Sequence, residues 1–476
     1  MSRAANRTSF PHGLPRHLLA VCCLATWAPD TAAAANLTDG PLTTDFSLAG
    51  TVQGVAGSGG FWGLAETFAP SAGFPDHHLW LEAFLRPGLR SDLRISESFT
   101  LHGGLAAIAS TTLGKDYFLT GSTGRILMED AFLGASWKHG ENSFSLSAGQ
   151  QPFTLGHALL LGVGAGNGFE RGAAATFPRR SWEMTALARA ASAHWSVDAF
   201  YLDAHELSSA DTGTRLAGTS IGWQQNESLQ AGLAWFKVTD STSPYPMAPL
   251  AIIENGRNGL ESSDLHWKWA PENGPLSGFS FLGETAIQRQ PEISLKAFGA
   301  ALELGYRWAH APGAPRLSYS PRYFSGDNPA TPDRLERFDP LFFDGGPATW
   351  SSGSNSSFAF YNSNLWCHRL RLELTIDNRN YLNINYWYTQ ADRTGSPLQF
   401  GQAARLSNAG GSPAIVTGVP APSLSHDFWL EHTHLFSPQW SLTWGIAASF
   451  PGSGIRSIAA QPGNWWGALL NVSFRY

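Results

Sequence analysis

The stretch NWWGALLNVSFRY, Asn464–Tyr476, sorts by parity. Trp466, Ala468, Leu470, Val472, Phe474 and Tyr476 share one register, while Asn471, Ser473 and Arg475 fall in the other. Successive side chains of an extended strand point to opposite faces. This segment therefore reads as a strand with one apolar, aromatic face and one polar face. Its place at the end of the chain is expected to close a sheet onto the first strand, with Tyr476 outward.

The same dyad pattern recurs upstream. HRLRLELTID puts Leu370, Leu372, Leu374 and Ile376 on one face and Arg369, Arg371, Glu373, Thr375 and Asp377 on the other. YLNINYWYTQ follows after the turn residues DNRN, so the two runs form a hairpin. LELGYRWA, RLSYSPRY, LHWKWA, FSLSAG, HLWLEAFLR and WSLTWGIAASF alternate likewise. RRSWEMTALARAASAHW is the one stretch with a fair helical reading, and its strand neighbours favour a strand there too. Between these runs lie Gly-, Pro- and Ser-rich connections, the longest being STSPYPMAPLAIIENGRNG and RTGSPLQFGQAARLSNAGGSPAIVTGVPAPS.

Composition narrows the class. Only 14% of the 476 residues are charged, 12% are aromatic, and there are 50 Gly and 19 Trp. Soluble domains average about 25% charged residues. No segment approaches the ~18 consecutive apolar residues of a membrane helix. A lipid-spanning strand needs ~9–11 residues with apolar side chains at alternate positions. Its backbone must be wholly paired, which forces the sheet to close. The expected fold is therefore all-β, a transmembrane antiparallel barrel of the outer-membrane type. Tyr386, Tyr388, Trp440 and Trp465, at run ends, are expected in its aromatic girdles.

The N-terminus agrees. Arg3, Arg7 and Arg16 flank the apolar run LLAVCCLATWA, and TAAAAN offers small residues for cleavage near Ala34 or Ala35. Residues 1–35 read as a secretory signal peptide and 36–476 as the barrel. Val21 precedes Cys22 where lipidation calls for a small residue. Removing 1–35 takes three Arg and one Asp and leaves 28 basic and 36 acidic groups, a formal charge of −8. That balance argues against a nucleic-acid partner. Cys367 is then the only cysteine, so no internal disulfide braces the fold.

One segment breaks the strand pattern: YFSGDNPATPDRLERFDPLFF, Tyr323–Phe343. Its FSGD, followed by ERFDPLF, SNLWCHRLRLEL and the final SFRY, resembles the alginate-export family of outer-membrane barrels. The resemblance covers about residues 280–476 closely and the earlier part loosely. AGQQPFTLG resembles that family's Gly-rich strand end, although Gln150 and Gln151 stand where the family often carries a basic residue. The resemblance implies a single-chain barrel of eighteen strands in a Gram-negative outer membrane; length alone also permits sixteen. It further implies passage of an anionic polysaccharide, alginate-like, or of smaller anionic solutes, and a carboxy-terminal Tyr476 presented to the outer-membrane assembly machinery. A general or substrate-specific porin and an outer-membrane hydrolase are the alternatives.

Several residues are candidates for the path. After residue 35 the chain has 23 Arg and only 5 Lys. Arg307, Arg316, Arg322, Arg369 and Arg371 share parity with polar neighbours and are expected to face the lumen. The planar guanidinium suits carboxylate recognition; the alternative is a structural ladder neutralised by Glu303, Glu373 and Asp377. Ser325, Gly326, Asp327, Phe338, Asp339 and Pro340 form either a packed loop, with Asp327 and Asp339 capping turns and Phe338 and Phe342 as anchors, or an inward gate touching solute. The acid spacing there does not match a calcium loop. Glu431, His432 and His434 place two His on one strand face without a third ligand, so no metal and no cofactor is expected. No local motif marks a catalytic nucleophile, and the chain reads as a channel and not an enzyme.

Overall fold

The computed structural model describes residues 35–64, 73–248, 251–344, 355–399, 415–416 and 418–476. The leader assigned to 1–35 lies outside these but for Ala35. So does most of the second long connection.

Among the described residues, eighteen antiparallel strands close into one ring; the nineteenth strand of the sheet is the short Ala35–Asp39. In chain order they are β1 (Leu42–Ser58), β2 (His77–Arg94), β3 (Phe99–Gly114), β4 (Thr123–His139), β5 (Asn142–Gln151), β6 (Trp182–Ala191), β7 (Trp195–Asp203), β8 (Arg215–Asn226) and β9 (Leu229–Asp240). They continue with β10 (Glu261–Trp269), β11 (Phe279–Gln290), β12 (Leu295–Arg307), β13 (Arg316–Phe324), β14 (Leu365–Thr375), β15 (Asn380–Ala391), β16 (Ser423–Leu435), β17 (Trp440–Pro451) and β18 (Trp465–Arg475). β18 pairs with β1 from Ala49↔Arg475 to Ser58↔Trp466, which joins last strand to first. Closure removes every lipid-exposed edge, so the backbone can sit in hydrocarbon without unpaired polar groups.

Burial follows the sequence parity. Leu79 (77% exposed), Ile126 (79%) and Leu133 (77%) stand on the outside although they are among the most apolar side chains. Water would disfavour this arrangement and lipid favours it. Outward aromatics form a belt near each rim. Tyr319, Trp366, Tyr386, Tyr388 and Phe428 lie on the side of the long connections, and Trp137, Trp308, Trp440 and Phe474 on the side of the short turns. Trp465 is a correction: it has the inward parity and is wholly buried, packed on Phe61, Trp62 and Tyr117. Its neighbour Trp466 takes the girdle position. The stretch with helical character forms β6 and the start of β7, because its backbone pairs with β5 and β8.

Turns and loops segregate. β4–β5, β6–β7, β8–β9, β14–β15 and β16–β17 join through at most four residues, such as 140–141 and 376–379. The opposite rim carries 152–181, 241–260, 325–364 and 392–422. The described parts of these connections supply much of a buried apolar cluster that includes Leu155, Leu159, Leu160, Leu161, Leu335, Phe338 and Phe360.

Candidate functional site

The inward faces of β12, β13 and β14 carry a charged strip. Alternation aims Glu303 and Arg307 from β12, Arg316 and Arg322 from β13, and Arg369, Arg371 and Glu373 from β14 into the lumen. The register sets Arg316 opposite Glu373, Ser320 opposite Arg369 and Arg322 opposite Cys367. The groups therefore climb the wall in steps of two residues, about 6.8 Å each. Glu303 takes Arg316 at 2.6 Å on one oxygen and Arg369 at 2.6 Å on the other. Glu373 takes Arg316 at 2.5 Å and Arg371 at 3.2 Å. Above this network, Trp387 from β15 lies 4.6 Å from the Arg322 guanidinium and 5.2 Å from that of Arg369. A flat cation on an indole face is attracted by the ring quadrupole, and more so when water is excluded.

All five arginines expected inward are on the inward face, but they do not act alike. Arg316, Arg369 and Arg371 belong to one network bridged by two glutamates. Arg322 and Arg369 share Trp387. Arg307 stands lower and donates to the Ala314 carbonyl at 3.1 Å. On these three strands five guanidinium groups meet two carboxylates; the next two strands add the inward Asp427 and Glu431 at the flank. Asp377, expected to help neutralise the ladder, instead caps its own turn, accepting the Arg379 and Asn380 amides at 2.8 Å.

A second element crosses the lumen. The connection 152–181 leaves β5 and touches both walls. On one side Glu82 of β2 accepts the amides of Ala175 and Thr176 at 2.9 Å, and Thr112 of β3 accepts that of Ala173 at 2.8 Å. On the other side Glu284 of β11 accepts the His157 amide at 2.6 Å, and the His157 ring meets the Trp267 carbonyl of β10 at 2.9 Å. β2 and β11 stand nine places apart in the ring of eighteen, hence on opposite walls. A β-bulge positions the loop's exit. The register jumps at Ala106/Ala107, which inserts Glu129 beside Asp130. Glu129 then accepts the Arg180 and Ser181 amides at 2.7 and 3.0 Å, and Asp130 accepts the Ser181 hydroxyl at 2.6 Å. Bulges commonly re-aim side chains in this way next to functional segments. The sequence reading missed this crossing. Its signal was present in HALLLGVGAGNGF, an apolar run without alternation between two alternating ones.

The odd segment packs onto the crossing loop. Phe342 exchanges backbone hydrogen bonds with Leu160, Gly162 and Val163. Asp339 accepts two guanidinium bonds from Arg257, at 2.8 and 3.1 Å, and the Tyr245 hydroxyl at 2.7 Å. Burial pushes the Asp339 carboxyl up; Arg257 outweighs it and holds the group below its ordinary value. Asp327 accepts the Ala248 and Glu336 amides at 2.6 and 2.9 Å. The Ser325 hydroxyl donates to the Glu336 carbonyl at 2.7 Å and accepts the Phe298 amide at 3.0 Å. Phe338 lies on Gly299, where any β-carbon would come within 2.5 Å of its ring. At Gly326 a β-carbon would meet the Asn364 side-chain oxygen at 1.9 Å. Pro340 is buried beside them. The six motif residues thus hold the connections 241–260, 325–364 and 392–422 together and to the wall.

The histidine pair of EHTH is turned away from the lumen: His432 lies tilted against Trp444 and His434 accepts or donates with Asn380 at 2.9 Å, while Glu431 faces inward. A different group lies under the crossing loop. Asp264 and His266 of β10 and Glu284 of β11 bring one ligand-type atom each to within 4.8 Å of one another.

Comparison with known proteins follows the architecture. A family model described as alginate export matches residues 125–456. Among solved structures, OccAB1 of Acinetobacter baumannii superposes with a TM-score of 0.55 at 9% identity, over 93% of this chain and 98% of that one. OpdK of Pseudomonas aeruginosa with vanillate gives 0.51 at 8% identity, over 91% and 98%. OccK2 (OpdF) of Pseudomonas aeruginosa in complex with glucuronate gives 0.50 at 11% identity, over 91% and 96%. No curated protein sequence matches significantly.

Proposed function

As the chain belongs to the alginate export family and is an outer-membrane barrel, we propose that it conducts anionic solutes of the uronate or small-carboxylate class along the arginine ladder of β12–β14. The observation that carries this reading is the ladder itself, five inward guanidinium groups against two glutamates on three adjacent strands. A carboxylate about 7 Å from one guanidinium gains about 0.6 kcal/mol in bulk water and about 2.4 kcal/mol at an effective dielectric of 20. The first value matches thermal energy and the second exceeds it, so a preference follows that fades with salt. The planar fork of Arg also offers paired donors to a carboxylate as it moves from rung to rung.

The crossing loop favours small solutes over a polymer. It ties opposite walls, and a chain-like substrate would have to pass beside it. Glucuronate and vanillate, found with two barrels of this architecture, are carboxylates of that small size. Polysaccharide export remains the second reading, and the family's description favours it. The reading is of a channel and not of a hydrolase, as the family is one of export. Residues 1–35 serve in it as the leader.

Reversal potential across a salt gradient in planar bilayers tests the ladder. Wild type should prefer anions, and Arg369→Ala with Arg371→Ala should lose most of that preference. Cation preference in wild type would overturn the proposal. Liposome swelling separates the two substrates: entry of glucuronate but not of an oligo-uronate supports the small-solute form.

A further inference from the structure

We propose that Asp264, His266 and Glu284 are the protein ligands of a zinc-class divalent metal ion, seated on the lumen wall beneath Gly156 of the crossing loop. The three are assembled by the sheet. His266 and Glu284 are directly opposed in the β10–β11 register, and Asp264 is two residues from His266 on the same face. Asp264 and Glu284 have no exposed surface. His266 Nδ1 lies 2.9 Å from Asp264 Oδ1.

Charge is the first argument. Neither Asp264 nor Glu284 forms an ion pair with a Lys or Arg among the described residues; His266 is the one basic partner. Asp264 Oδ2 and Glu284 Oε1 are buried and, among the described residues, face each other's carboxyl group without a basic partner of their own. Two buried carboxylates sharing one imidazole are costly unless a cation or a shared proton joins them, and a metal ion satisfies all three groups at once.

Space is the second argument. Gly156 has φ +56 and carries no side chain over the group. The point where its β-carbon would stand is 2.7 Å from Glu284 Oε1 and 2.8 Å from His266 Nδ1. An ion bound at about 2.0–2.2 Å by oxygen and imidazole nitrogen fits between them after a small inward shift. Imidazole in the set disfavours calcium and magnesium, which take oxygen ligands, and favours zinc-class ions. The second Glu284 oxygen accepts the His157 amide. An ion on Glu284 would therefore brace the root of the crossing loop.

The test is zinc titration of the purified, chelator-stripped full-length barrel in detergent, by calorimetry, with cobalt(II) absorption as a report of imidazole ligation. One saturable site per chain is expected. Asp264→Asn and Glu284→Gln should each weaken it by about tenfold or more, whereas His432→Ala with His434→Ala should leave it unchanged. Heat-modifiable gel migration checks that each barrel is closed. Should Glu284→Gln not fold, Gly156→Ala keeps all three ligands and places a methyl in the ion's position; it should abolish binding. The proposal is overturned by absence of saturable binding, which would mean that the carboxylates share a proton instead, by binding that survives in folded Gly156→Ala, or by loss confined to the His432 and His434 variant.

Discussion

Arg369 and Glu303 meet at 2.6 Å across the width of β13, and the same glutamate holds Arg316 at 2.6 Å through its other oxygen. Glu303, with Glu373, thus reduces the positive potential of the ladder. Glu303→Gln should raise anion preference, moving the reversal potential opposite to the Arg369 and Arg371 double variant. It should also loosen the wall, since removing one member of a buried charge network costs about 3–5 kcal/mol. Bilayer recordings and urea unfolding of the same preparation would read both effects. A reversal potential equal to wild type would show that ions do not sense this strip.

The Arg257–Asp339 pair holds the inner loops. Asp339→Asn leaves a buried guanidinium short of its counter-charge, at a cost of about 3 kcal/mol or more. When opening is fast relative to cleavage, that corresponds to roughly a hundredfold more of the opened segment. Limited trypsinolysis should cut after Arg337 far faster in the variant, with the barrel core intact. Because Arg257 depresses the Asp339 carboxyl, its stabilisation is complete above the ordinary carboxylate value, about 3.9, and is lost only as pH falls through the lower folded value.

Mild acid should act elsewhere. His205, in the connection 204–214, exchanges backbone bonds with Gly164 and Gly166 of the crossing loop, at 2.7 and 2.9 Å. Burial, with the charges of Arg171 and Arg179, pushes its imidazole down to about 4. The unfolded imidazole titrates near 6.5. Between these values the opened loop binds the extra proton, so the seam weakens as pH falls from about 6.5 to 4 and regains its full strength above 6.5. Hydrogen exchange of residues 164–171, corrected for intrinsic rate, should quicken between pH 7.5 and 5 in wild type and stay flat in His205→Gln.

The carboxy-terminal strand closes the ring. Leu48 and Tyr476 exchange both backbone bonds at 2.8 Å, and Phe474 stacks on Trp440 at 5.1 Å. Deleting Phe474–Tyr476 unpairs the foot of that seam. The truncated chain should collect in the periplasm and be protease-sensitive; normal outer-membrane levels would reject the expectation.

Much of this was legible in the sequence for one physical reason. A lipid-spanning strand must alternate, so parity alone placed Arg307, Arg316, Arg322, Arg369 and Arg371 on the inward face. Trp465 misled because an aromatic at a strand end looks like a girdle residue; only its odd register, against Trp466, marks it as inward. The ion pairs were half legible. Glu303 and Glu373 were named as partners, but which Arg each would bridge depends on the stagger between β12, β13 and β14, and no residue pattern reports stagger. The crossing loop and the Asp264, His266 and Glu284 group were hidden. The crossing loop's partners lie half a circumference apart, and loops that fill a lumen obey packing instead of a period; the three-residue group depends on the β10–β11 register, which no residue pattern reports.

The short strand Ala35–Asp39 lies under the end of β18 and pairs with Leu42–Phe46 of β1, from Ala35↔Phe46 to Asp39↔Leu42. β1 runs well past the point where β18 stops, and the overhang would otherwise show a bare row of amides and carbonyls on one side. Such a row is a template for another chain's backbone. By folding back on itself, the chain supplies its own selvedge there. The join of the cylinder is hemmed from within one polypeptide, and among the described residues the bare row passes from β1 to a strand of only five residues, too short to be a good template.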